Sequence, residues 1–106
     1  MSGQYILDDN GNPVLEHNIR KWGLWMQDGE KRRVAWDVLP SGVRVSTVFL
    51  GLDHNWGDDP PVLWETMIFG GNQEGYQELY TSLEEAVEGH KKALELASKE
   101  VPNENL

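Results

Sequence analysis

The chain reads as an α+β domain: a three- to four-stranded antiparallel meander with an N-terminal and a C-terminal helix. Two observations predict it. Residues 33–39, 43–52 and 62–69 are rich in β-branched and aromatic side chains and are separated by turn formers, the pattern of consecutive strands. Residues 82–101 open on a Ser-x-x-Glu capping box and then carry apolar residues at helical spacing. At 106 residues there is room for one core and one domain, because a chain of this length buries roughly 60–70% of its unfolded surface.

Taken in order, residues 1–12 form an arm or short strand, since Asp8-Asp9-Asn10-Gly11-Asn12-Pro13 is dense in turn formers. This is no calcium loop: with Gly11 at the loop's glycine position, the first ligand position falls on Ile6 and the last on His17. Leu15, Ile19, Trp22 and Met26 recur at helical spacing, with Glu16 early and Arg20 and Lys21 later. That pattern predicts a helix over 14–27, weakened by Gly23 and stopped by Asp28-Gly29. Val34, Trp36 and Val38 then alternate along a strand, and Pro40-Ser41-Gly42 turns the chain into the next one.

Pairing Leu52 with Val62 sets Phe49 across from Glu65. One face then carries Val43, Val45, Thr47, Phe49, Leu63, Glu65, Met67 and Phe69, and is the expected core face. A one-residue slip would instead put Glu65 in water. The opposite face, with Val48, Leu50, Leu52, Val62, Trp64 and Ile68 beside Arg44, Ser46 and Thr66, is too apolar to stand bare. Either each helix covers one face or a second copy covers this one; a homodimer is the expectation. Residues 76–80 add a short edge strand, Ser82 caps a helix over 83–100, and 102–106 reads as a disordered tail.

Hydrophobic residues at 39% and charged residues at 25% match a globular chain rather than a disordered one. The absence of cysteine excludes disulfides, thiolate metal sites and cysteine nucleophiles. Met1-Ser2-Gly3-Gln4-Tyr5 lacks the basic and apolar regions of a signal peptide, and no apolar run approaches a bilayer span, so the cytoplasm is the expected location. From Asp53 to Glu88 there are nine carboxylates and no lysine or arginine, as many as the net charge of −9. Such a field repels nucleic acid and anionic membranes and suits a basic protein partner; it also keeps a chain soluble.

The loop Asp53-His54-Asn55-Trp56-Gly57-Asp58-Asp59-Pro60-Pro61 collects an imidazole, three carboxylates and an indole, and Glu65 follows closely. Oxygen and imidazole donors of this kind suit Zn, Mn or Mg, but the spacing matches no metal motif and no cofactor is expected. Asp53 and Asn55 fit equally well as turn caps. Trp56 either folds back on the sheet or anchors a partner. Binding candidates are therefore Asp53, His54, Trp56, Asp58, Asp59 and Glu65, with Arg44 as the phosphate contact and Trp56 and Trp64 as stacking contacts for a small ligand. His90 reads as a packing residue at the edge of the last helix's apolar stripe. Ser41, Ser46 and Ser82 sit in a turn, a strand and a cap, so no nucleophile elbow is present, nor is a P-loop or dinucleotide fingerprint.

The run Val45-Ser46-Thr47-Val48-Phe49-Leu50-Gly51-Leu52-Asp53-His54, then Pro60-Pro61, then Glu65-Thr66-Met67-Ile68-Phe69-Gly70, resembles a signature of small phage and prophage proteins. Tyr80-Thr81, Glu85-Ala86 and Gly89-His90 extend the resemblance, which covers about positions 5–94. It implies a phage genome as the setting and, by analogy with small acidic phage domains, an accessory protein that binds and blocks a host component. The expectation is thus an acidic inhibitor of a host defence component. A nucleotide-like ligand held between protomers is the alternative, and a metal-dependent hydrolase on Asp53, His54, Asp58 and Glu65 a third reading.

Overall fold

A computed structural model describes residues 3–54 and 60–99. The architecture is α+β, with a two-stranded hairpin, two helices near the N-terminus, a four-stranded antiparallel sheet and a C-terminal helix.

Strands β1 (Tyr5–Leu7) and β2 (Pro13–Leu15) form the hairpin, with Tyr5 opposite Leu15. Asp8 builds its turn: Oδ1 accepts from the backbone N–H groups of Asn10 and Asn12, each at 2.9 Å. The helix expected over 14–27 is corrected here. Residues 13–15 are committed to the ladder with β1, and Glu16 N–H bonds the Gln4 carbonyl at 2.9 Å, so the chain stays extended until Asn18. Asn18 caps α1 (Ile19–Met26), its side chain accepting from the N–H groups of Arg20 and Lys21. Asp28, expected only as a stop, caps the single turn α2 (Gly29–Arg32) in the same way.

The sheet runs in the order β3 (Arg33–Val38), β4 (Arg44–Phe49), β5 (Trp64–Phe69) and β6 (Gln77–Tyr80), the expected meander with its short edge strand. Leu39 and Val43 close the β3–β4 turn at 2.8 Å, and Gly42 supplies the positive φ of 91° that a side chain would resist. Between β4 and β5, Phe49 lies opposite Trp64, not Glu65. The register is therefore one residue away from the expected one, and every β5 side chain changes face. Trp64, Thr66 and Ile68 point inward with Val45, Thr47 and Phe49, while Glu65, Met67 and Phe69 point outward with Arg44, Ser46 and Val48.

Helix α3 (Leu83–Ser98) lies on the inner face. Its buried stripe is Ala86, Gly89, His90, Ala93 and Ala97, all small but the histidine, which lets the helix approach the sheet closely. Val45 and Ile68 pack with Ala93 and Ala97; Phe49, Leu63, Trp64 and Tyr80 pack with Ala86. Trp25 of α1 meets Phe49 edge-on, with ring centroids 5.7 Å apart. Both long helices thus contribute to one side of the sheet, and among the described residues no helix covers the outer face. Gly51 ties α1 to the sheet: its carbonyl accepts from Tyr5 N–H and from Trp22 Nε1.

Ser82 Oγ accepts from Glu85 N–H at 3.1 Å, the first half of a capping box. The second half differs: the Glu85 carboxylate takes the N–H and the hydroxyl of Thr81, one residue before the cap. These bonds, the Thr81 hydroxyl first, hold the Glu85 carboxyl below its ordinary value. A group depressed in the folded state contributes stability above its unfolded pKa and loses it as pH falls through the folded value. Glu85→Gln is therefore expected to lower the melting temperature at pH 7, and the gap from wild type should close as pH drops below about 4.5. A gap of constant size in thermal melts from pH 7 to pH 3 would show that the charge plays no part. Ser82→Ala should cost about 1 kcal/mol at pH 7.

Candidate functional site

An acidic cleft of about 420 Å³ opens between β6 and the N-terminal half of α3. The inner face of β6 supplies Glu78 and Tyr80, the loop before it supplies Tyr76, and successive turns of α3 supply Glu84, Glu85, Glu88 and Lys92. Four glutamates thus face one lysine. The α3 carboxylates are there because residues three and four apart share a helix face. Glu78 is there because it lies opposite Thr66, on the side of the sheet that α3 covers.

Burial first, and the cleft's negative charge after it, raise both of its phenols. Burial raises the Tyr76 hydroxyl above its ordinary value and Glu78 adds to the shift. Burial also raises Tyr80, more than the nearby Thr66 hydroxyl lowers it, and Tyr76 and Glu78 add again. The Tyr80 ring is packed against the helix backbone at Gly89, and its buried hydroxyl makes no hydrogen bond of ordinary length. Glu85 is occupied by Thr81, leaving Glu78, Glu84 and Glu88 as the cleft's adaptable carboxylates. The arrangement can bind ammonium or guanidinium groups, with the Tyr76 ring as an apolar wall.

Beside this cleft runs a buried polar chain that sequence reasoning did not foresee. His90 Nε2 meets Asp37 Oδ2 at 2.8 Å, His90 Nδ1 meets Thr47 Oγ1 at 2.7 Å, and Thr47 Oγ1 meets Thr66 Oγ1. With a neutral imidazole, an Asp37 carboxylate that only accepts places the ring proton on Nε2, and Nδ1 then accepts from Thr47 and Thr47 from Thr66. Carboxylate, imidazole and hydroxyl are the parts of a hydrolase triad. Thr47 and Thr66 are nevertheless 0% exposed, under α3, so no substrate atom reaches the hydroxyl. The chain is a structural pin between helix and sheet. His90 was expected at the boundary of the apolar stripe; it lies within the buried surface, 4% exposed. The signal in the sequence was weak: Asp37, Thr47 and Thr66 sit on three different strands.

The candidates from the sequence do not gather at one place. Asp53 Oδ1 accepts from Val62 N–H at 2.9 Å, and His54 N–H donates to the Val62 carbonyl at 3.1 Å, so the two close the base of their loop. Trp56, Asp58 and Asp59 lie outside the described residues, as does the 102–106 tail. Glu65, expected on the core face, is half-buried on the outer one and accepts from Gln77 Nε2. Arg44 lies on that same outer face, 5.7 Å from the Phe69 ring centroid. Trp64 is 3% exposed on the inner face, tilted against Phe49 at 5.5 Å. Arg44 and Trp64 of one chain therefore cannot enclose a common ligand. Among the described residues no three His, Asp or Glu side chains lie close enough to hold a metal ion, and no helix is long and apolar enough to cross a membrane.

Compared with protein-family models, with curated proteins and with solved structures, the chain matches none.

Proposed function

We propose that this is a phage-encoded accessory protein that inhibits a host defence component by direct contact, through its acidic surface, in the host cytoplasm. One observation carries the reading: four of the carboxylates between Asp53 and Glu88 converge on the cleft between β6 and α3, opposed by Lys92 alone. The phage setting rests on the resemblance of the 45–70 segment. A cleft of this charge selects a basic protein surface and disfavours nucleic acid and membrane. A homodimer belongs to the same reading, because an apolar sheet face is left uncovered.

The test uses immobilised protein in host lysate, wild type beside the triple variant Glu78→Gln, Glu84→Gln and Glu88→Gln, which spares the Glu85 cap. A basic host protein should be retained by the wild type, lose on the order of tenfold in affinity between 50 and 300 mM salt, and be lost on the triple variant. Retention that ignores both salt and the three glutamates, or no retained host protein, overturns the reading.

A further inference from the structure

We propose that the uncovered face of the four-stranded sheet is where a second copy of this chain docks, with Arg33 of each copy beside Glu65 of the other. This names the surface of the homodimer in the reading above and rests on that part of it alone.

The register defines the face as a grid. Val38, Arg44 and Phe69 form one row; Trp36, Ser46, Met67 and Gln77 the next; Arg33, Val48, Glu65 and Leu79 the third. Trp36 is 43% exposed, Val38 59% and Leu79 44%, with Val48, Met67 and Phe69 half-buried between them. Apolar area of this continuity is rare on a soluble surface without an occupant. The two arginines lie over rings of the same face, Arg33 over Trp36 and Arg44 over Phe69, each at 5.7 Å from the centroid.

Charge selects the occupant. The face carries two arginines against one glutamate, so the rest of the chain is more acidic than its −9 as a whole. Two such chains repel each other through most of their surface, and this face is where approach carries least penalty. It also holds both signs in positions that a two-fold axis can match. Sheets stack about 10 Å apart with nearly aligned strands. An axis parallel to the strands lays β3 over β6 and β4 over β5, reversing each row. Arg33 then stands over Leu79 of the second copy and is offset sideways by one strand spacing, about 5 Å, from Glu65 of the second copy, so that the two long side chains bridge the gap between the sheets, and the reciprocal pair forms at the other side. A basic or neutral partner would find no such reciprocity. Both acidic clefts remain on the outward, helix-covered sides.

Sedimentation velocity of the whole chain from about 1 to about 100 μM tests this. Wild type should be a dimer, and Val38→Lys, at a position already open to water, should be a folded monomer by circular dichroism. Arg33→Glu and Glu65→Arg should each raise the dissociation constant by on the order of tenfold, and the double variant should restore it. A wild-type monomer at about 100 μM overturns the dimer. A dimer untouched by Val38→Lys overturns the face while leaving a homodimer standing, and a double variant no tighter than the single ones overturns the Arg33–Glu65 pairing. None of these outcomes bears on binding at the acidic cleft.

Discussion

His90→Ala is expected to cost about 3 kcal/mol, enough to lower the melting temperature by roughly 10–20 °C. Two penalties combine. The imidazole is 4% exposed between α3 and the sheet, so its removal leaves a cavity. It also strips the Thr47–Thr66 hydroxyl pair of the acceptor that takes its outgoing hydrogen bond. Asp37→Asn should be mild by comparison, below about 1 kcal/mol, because the Asp37 side chain is 50% exposed and an amide oxygen still accepts from Nε2. Chemical denaturation of the two variants, with Thr47→Val and the double variant Thr47→Val/His90→Ala, measures the coupling directly. Additive losses for Thr47 and His90 would show that the hydrogen bond contributes nothing and that His90 serves as bulk alone.

Gly89→Ala is the second large effect, and its sign runs against helix propensity. In an exposed helix this exchange gains about 1 kcal/mol. Here a Cβ at position 89 would lie inside the van der Waals shell of the Tyr80 hydroxyl and of the adjoining ring carbons. The Tyr80 ring is held on its other side by the sheet, within the cluster of Phe49, Leu63 and Trp64, and can yield only by leaving that cluster towards the cleft. Overpacking of this kind costs about 1–3 kcal/mol after any propensity gain. Thermal melts should therefore show Gly89→Ala destabilised, and Tyr80→Phe/Gly89→Ala partly recovered, since the missing oxygen is the atom closest to the new methyl. An unchanged or higher melting temperature for Gly89→Ala would mean that helix and strand separate there at little cost.

The strands and the last helix were legible from local pattern. The β-rich run over residues 33–38, a turn at Pro40-Ser41-Gly42, and a capping box at Ser82 are local signals, and each element formed where it was expected, although a register shift at the start of β3 packs Val34 against the inner cluster, apart from the exposed Trp36 and Val38. The first helix was legible only in part. Leu15, Ile19, Trp22 and Met26 keep a helical period, yet Pro13–Leu15 pairs with β1, because a hairpin ladder gives those backbone groups partners that helical spacing cannot reveal. Asn18 and Asp28 were cap residues in plain view, and reading them as such would have placed both short helices.

Glu65 shows why the site was harder. Its environment hung on a register that differs by one residue between two readings, and the alternation of β5 alone supports either. Trp64 decides it: an indole is worth more buried against Phe49 than exposed, and its burial takes Thr66 and Ile68 inward and turns Glu65 out to Gln77. The acidic run from Asp53 to Glu88 was visible at once, but not its focus. Glu78 meets Glu84 and Glu88 only because α3 folds back over β6.

By itself, then, the order of residues determined what short-range chemistry controls: the class of the fold, the strands, the capped last helix and the acidity of the second half of the chain. The tertiary structure alone decided which carboxylates share a cleft, which face of the sheet is left open, and that Asp37, Thr47, Thr66 and His90 form one chain of hydrogen bonds. Those three outcomes depend on contacts between residues far apart in sequence, and such contacts are set by how the whole sheet and helix pack, where a shift of one residue exchanges every inward and outward side chain.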